Sequence, residues 1–207
     1  MICNFARLVV LIPMVALNVF AENGPDVSRK SDPAPPLKIE DVEGVGGGGL
    51  YLDGRVYIAG QPAVEALAAL HQKGVAVVVN TRTPDEMDDP ERVPFDEENA
   101  VLDMGMTYVP IPLGGDDYPY GPEAVDRLAE VLASSDQPIL IHCGYGGRAS
   151  YLWLAYLVKY ENLPLDLAIT RGEAMMLKPH PIGRLLGRPT ILAFEEDASG
   201  GISLSED

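Results

Sequence analysis

From Leu50 to Tyr160 short apolar runs alternate with longer amphipathic ones. Leu50–Leu52 and Val56–Ala59 read as two strands joined by the turn signal Asp53-Gly54. Pro62 stands where a helix begins. Val64, Leu67, Ala68 and Leu70 give that helix an apolar stripe, and Gly74 ends it. Val75–Val79 is β-branched, short and flanked by turn residues, which predicts a buried strand. Asp96–Met104 predicts a helix closed by Gly105, and Met106–Leu113 a strand running into Gly114-Gly115-Asp116-Asp117. Pro122–Ala133 places Val125, Leu128, Val131 and Leu132 on one helical side. Ile139–His142 is a further short strand, and Ala149–Tyr160 a helix apolar almost all round, hence buried. Strands and helices in this alternation predict an α/β fold with a central, mostly parallel sheet flanked by helices, over residues 49–194.

The ends read differently. Arg7 followed by the apolar run Leu8–Phe20 and by Val19-Phe20-Ala21 has the three regions of a secretory signal, so residues 1–21 are expected to be cleaved. The run is short for a bilayer, and Pro13 interrupts it. Residues 22–48 hold Pro33, Pro35, Pro36 and Gly46–Gly49 without an apolar period, which predicts a flexible linker. The acidic Gly/Ser-bearing tail, 195–207, is expected to be disordered.

Export changes how charge and cysteine content are read. With 31 acidic against 15 basic Lys and Arg side chains the chain carries a net charge of −16, a surface that repels nucleic acid and anionic lipid. No stable membrane association is expected after signal cleavage, and a bacterial periplasm is the expected compartment. Cleavage removes Cys3 and leaves Cys143 as an unpaired thiol where cysteines normally pair.

That thiol stands between a strand and a helix, in His142-Cys143-Gly144-Tyr145-Gly146-Gly147-Arg148-Ala149-Ser150. In a parallel sheet, ligands gather beyond the carboxyl ends of the strands. Three glycines there let successive backbone N–H groups converge on one spot, and the following helix adds its positive end. The planar fork of Arg148 suits a tetrahedral oxyanion, and the same field stabilises a thiolate nucleophile. Gly144, Tyr145, Gly146, Gly147, Ala149 and Ser150 are therefore expected to line a bound anion. His142 is expected to act chiefly as an orienter, and Ser150 as a hydrogen-bond donor to the sulfur. His71, His142 and His180 make no metal spacing, so neither metal nor cofactor is expected. Arg171 and Glu173 are expected in a surface ion pair, and Met175 and Met176 in the core.

The motif resembles the phosphate loop of cysteine-dependent tyrosine and dual-specificity phosphatases. Val56 to about Met176 is similar to the beta-lactamase-hydrolase-like family of phosphatase-like domains, through Gly60-Gln61-Pro62, Val79-Asn80-Thr81-Arg82 and Tyr108-Val109-Pro110-Ile111-Pro112. The resemblance implies a tyrosine-phosphatase-like fold, Cys143 as nucleophile, Arg148 as oxyanion clamp, and Asp116 or Asp117 as general acid. Only Gly144–Gly147 separate Cys143 from Arg148, one residue fewer than in tyrosine phosphatases and the spacing familiar from rhodaneses. Three functions are thus open. The first is phosphomonoester hydrolysis, and the second is sulfur transfer through a Cys143 persulfide. The third is a non-catalytic anion-binding or redox-sensing module. The partner is a phosphorylated or sulfur-donor small molecule or protein.

Overall fold

The computed structural model describes residues 34–175, 182–187, 193–196 and 202–205, the last two stretches as backbone. The expected signal peptide, Met176 and His180 lie outside the described residues. The fold belongs to one unit, Pro35–Asp207.

Its strands are β1 (Leu37–Ile39), β2 (Leu50–Asp53), β3 (Val56–Ala59), β4 (Val77–Asn80), β5 (Thr107–Pro110) and β6 (Ile139–His142). They form one sheet in the order β1-β2-β3-β6-β4-β5. The four strands β3, β6, β4 and β5 pair in parallel, while β1 and β2 add an antiparallel edge. The helices are α1 (Val64–Gln72), α2 (Pro84–Met87), α3 (Glu97–Asp103), α4 (Pro122–Ser134), α5 (Gly147–Tyr160), α6 (Leu165–Ala174) and α7 (Ile182–Leu185).

Side chains alternate across a strand, so β6 serves two cores. Ile139 and Ile141 pack with Val125, Leu128, Leu152 and Leu154 of α4 and α5 on one face. Leu140 packs with Leu67, Leu70 and Val101 of α1 and α3 on the other. By the same alternation His142 points toward α3. The all-apolar reading of α5 agrees with the burial of every residue from Ala149 to Ala155. Fully burying a side chain such as Leu152 stabilises the fold by about 1.5–3 kcal/mol.

Two boundaries differ from the sequence expectation. The supposed linker belongs to the fold from Pro35 onward: Leu37 pairs with Leu52 across β1 and β2, and Val42 is buried. Gly46 N–H donates to Gln61 O at 2.8 Å and Gly48 N–H to Tyr145 O at 3.0 Å. Glycine richness signals a close approach here rather than a linker, since a Cβ on Gly60 would sit 1.9 Å from Gly46 O. In the tail expected to be disordered, β7 (Ala193–Glu196) and β8 (Ile202–Ser205) pair antiparallel.

The expected strand Met106–Leu113 is regular only over Thr107–Pro110, because Pro110 and Pro112 have no N–H to donate. Beyond it, Ile111 and Leu113 still bond Asn80 O and Thr81 O. These bonds carry the chain to the same sheet edge as Cys143.

Candidate active site

The carboxyl ends of β3, β4, β5 and β6 converge, and each loop leaving them contributes to the site. Cys143 emerges from β6 with its N–H on Ala59 O at 3.3 Å. Thr81 anchors the preceding carbonyl, donating N–H at 2.9 Å and its hydroxyl at 2.8 Å to His142 O. The next carbonyls are tied from behind, Gly144 O by Gln61 N–H at 3.3 Å and Tyr145 O by Gly48 N–H. The loop then turns through Gly146 at φ 102°, a left-handed conformation that favours glycine. Gly146 N–H donates to Cys143 Sγ at 3.0 Å, and Gly147 opens α5. The sulfur therefore rests on a backbone amide at a helix start. Only 2% of Cys143 is exposed.

Arg148 reaches across from the first turn of α5. Its Nη1 and Nη2 donate to the two carboxylate oxygens of Glu86 at 2.6 and 2.7 Å, and Nη1 also to Leu113 O at 2.8 Å. The expected oxyanion clamp is thus already engaged by an internal carboxylate. Burial alone would push the Glu86 pKa up. Arg148 and the Thr83 amide outweigh it and hold the carboxyl at about 2. Burial opposes the Arg148 charge too, yet Glu86 and the nearby Cys143 leave its pKa raised.

In front lies an open cleft of about 440 Å³ whose lining includes Arg148, Glu86, Asp116, Asp117 and Tyr120. Gly114 N–H closes the acid loop onto Tyr118 O at 2.7 Å, leaving Asp116 and Asp117 exposed at its tip. The geometry brings Arg148 and both acid candidates to one cleft. Burial first, and then Cys143 and Glu86 against the opposing Arg148, raise the Tyr120 pKa.

The side chains of His142 and Ser150 point elsewhere than expected. The His142 ring is fully buried, with Nε2 3.0 Å from Glu97 Oε1, so it faces α3 and not the cleft. Ser150 donates to Gly146 O at 3.0 Å and Met175 O at 3.3 Å, not to the sulfur, because a helical hydroxyl reaches back one turn. The Ala149 methyl lies in the core. Tyr145 is exposed, with Gly47 packed against it. Arg171 binds the buried Asp53, which also accepts from Trp153 Nε1 at 2.9 Å, and Glu173 is exposed. His71 Nδ1 lies 3.3 Å from Val75 O at the end of α1. Met175 is in the core as expected.

Sequence reading missed Glu86, although Thr83-Pro84-Asp85-Glu86 has the spacing of a capping box with proline at the first helical position. Glu86 indeed accepts Thr83 N–H at 3.0 Å. It gave no role to Arg82, a buried second arginine donating Nη1 to Gln61 Oε1 at 2.7 Å. No local pattern marks Glu97, which meets His142 only once the sheet is formed.

A lone cysteine on a glycine turn between a central parallel strand and a buried helix, answered by arginine and an acid-bearing loop, defines the class of cysteine-loop phosphatase-like domains. The family model of the beta-lactamase hydrolase-like protein, phosphatase-like domain, matches residues 51–157, and the chain belongs to that family. Solved structures share the fold. A DUF442 protein of Shewanella putrefaciens CN-32 aligns with TM-score 0.51 and 22% identity, covering 70% of this chain and 89% of that one. For P. aeruginosa TpbA the values are 0.50 and 19%, covering 69% and 78%. Tk-PTP in its active form gives 0.51 and 22%, covering 66% and 94%. Comparison with curated proteins gives no match.

Proposed function

We propose that the chain hydrolyses phosphomonoesters through a cysteinyl-phosphate intermediate. The carrying observation is the Cys143 sulfur seated on the Gly146 amide at the start of the helix whose Arg148, together with two exposed carboxylates, lines one cleft. The thiolate attacks phosphorus, and the bond from phosphorus to the ester oxygen breaks. Asp116 or Asp117 gives that oxygen its proton. Water then displaces sulfur from phosphorus, releasing phosphate and restoring the thiolate. Arg148, oriented by Glu86, neutralises charge on the phosphoryl oxygens. A structure of P. aeruginosa TpbA with cysteine changed to serine holds pTyr, which supports a phosphorylated protein or aryl phosphate as substrate here.

The short spacing from Cys143 to Arg148 favours a second reading, sulfur transfer through a persulfide, since a terminal sulfur needs less room than a phosphoryl group. Parallel assays of phosphoester hydrolysis and thiosulfate-to-cyanide transfer separate them. Hydrolysis is expected to require Cys143, Arg148 and one aspartate. Sulfur transfer indifferent to both aspartates, without hydrolysis by the parent protein, overturns the first reading.

The signal-like start supports export and release into a periplasm after cleavage behind Ala21. N-terminal sequencing of protein from an exporting host is expected to begin at Glu22, and an intact Met1 in membrane-bound material contradicts this.

A further inference from the structure

The cleft in front of Arg148 carries mostly charge of the same sign as a phosphate. Among the described residues its wall holds four carboxylates, Asp85, Glu86, Asp116 and Asp117, against one guanidinium. Glu86 covers both terminal nitrogens of that guanidinium, so the Arg148–Glu86 pair is close to neutral as a unit. Asp85, Asp116 and Asp117 are exposed. Among the described residues none of the three lies at ion-pair distance from a lysine or arginine. Two further arginines stand near Glu86, but Arg82 is buried and Arg92 is engaged by Asp89 at 3.0 Å. The chain as a whole adds to this field, with its net charge of −16.

In the proposed reaction Arg148 meets the phosphoryl oxygens, while the leaving group comes within reach of Asp116 or Asp117 for its proton. The leaving group therefore faces the unpaired carboxylates, which repel a negative substituent and attract a positive one. Tyr118 and Tyr120, both half-buried, line the same cleft. Aromatic rings beside carboxylates suit an ammonium or guanidinium, since the negative ring face and the carboxylate charge attract the same cation. Resting on the phosphatase reading above, we infer that the cleft selects phosphomonoesters whose leaving group carries positive charge, and that Asp85 senses this charge. Asp85 is the acid free for the task, because Glu86 is committed to Arg148 and Asp116 or Asp117 to proton transfer. A phosphotyrosyl peptide with lysine or arginine beside the phosphorylated residue has this chemistry, and so has a small amino-alcohol phosphate. Esters bearing a second phosphate or a carboxylate are disfavoured.

The test measures binding to the Cys143→Ser protein by calorimetry, which needs no turnover. One pair of ligands is a phosphotyrosyl peptide flanked on both sides by lysine and its counterpart flanked by glutamate. The other pair is choline phosphate and its uncharged carbon analogue, neohexyl phosphate. The cationic member of at least one pair is expected to bind about 10-fold more tightly than its counterpart. A preference confined to the peptides identifies a protein substrate, and one confined to the esters a small amino alcohol. Adding Asp85→Asn is expected to shrink the preference about 3-fold. Thermal melting checks that this change at an exposed side chain leaves the fold intact. Equal or absent binding within both pairs overturns the inference, as does a preference for the glutamate peptide or one that Asp85→Asn leaves untouched. Hydrolysis by the parent protein is assayed separately, so absent turnover with the binding preference intact counts against the phosphatase reading alone.

Discussion

The cysteine loop and the acid loop leave the same end of the sheet but are held differently. The first is tied by Ala59, Thr81, Gln61, Gly48 and the sulfur's own amide contact. The second closes through Gly114 N–H to Tyr118 O and leaves its carboxylates exposed. A nucleophile that must meet phosphorus in line gains from rigidity, because misplacement costs rate steeply. A general acid must approach a leaving group that varies between substrates, and an exposed loop permits that. Under the proposed mechanism, the common chemistry falls to the rigid loop and the leaving-group dependence to the loose one.

The largest expected effect lies in the rigid loop. Cys143→Ser is expected to reduce phosphoester hydrolysis to background for every leaving group, measured by phosphate release. Residual turnover that varies with leaving group would show that the nucleophile lies elsewhere. In the loose loop, Asn at the true acid, Asp116 or Asp117, is expected to slow poor leaving groups about 100-fold and nitrophenyl esters much less. Equal losses for both ester types would contradict the division of labour.

Smaller effects probe what keeps the rigid loop rigid. Gly60→Ala drives a methyl into Gly46 O, and is expected to destabilise the fold by about 1–3 kcal/mol in denaturant melts. The matching change at Gly115, where an added Cβ meets nothing within 4 Å, bears only the strain of φ 70° and is expected to cost less. The Glu86–Arg148 pair adds a pH signature. The Glu86 pKa falls from 4.5 to about 2 on folding, so its contribution is present above 4.5 and lost as pH falls toward 2. Melting of Glu86→Gln is expected to lose that part of the acid dependence.

The contrast also marks what a sequence makes legible. Periods of two and of a helical turn located β2, β3, β6, α1, α4 and α5, because each buries one face or all of itself in the core. The cysteine loop was readable because strand, thiol, glycines, arginine and helix follow one another within a dozen residues. What surrounds that loop was not, since it arrives from a distance. The glycines at 46–49 read as linker until their close approach to Gln61 and Tyr145 is seen. The sequence assigns no site role to Glu86 or Glu97, because only strand order brings them to Arg148 and His142. Ser150 was assigned to the sulfur from its position near the helix start, but within a helix its hydroxyl falls to the carbonyl one turn back.

The covalent state of Cys143 tests the central claim most directly. Rapid acid quenching during turnover of an aryl phosphate, followed by peptide mass spectrometry, is expected to show a phosphoryl group on Cys143 and none on Cys143→Ser. A persulfide on Cys143 after exposure to a sulfur donor, with no phosphoryl adduct from any phosphoester, would contradict it.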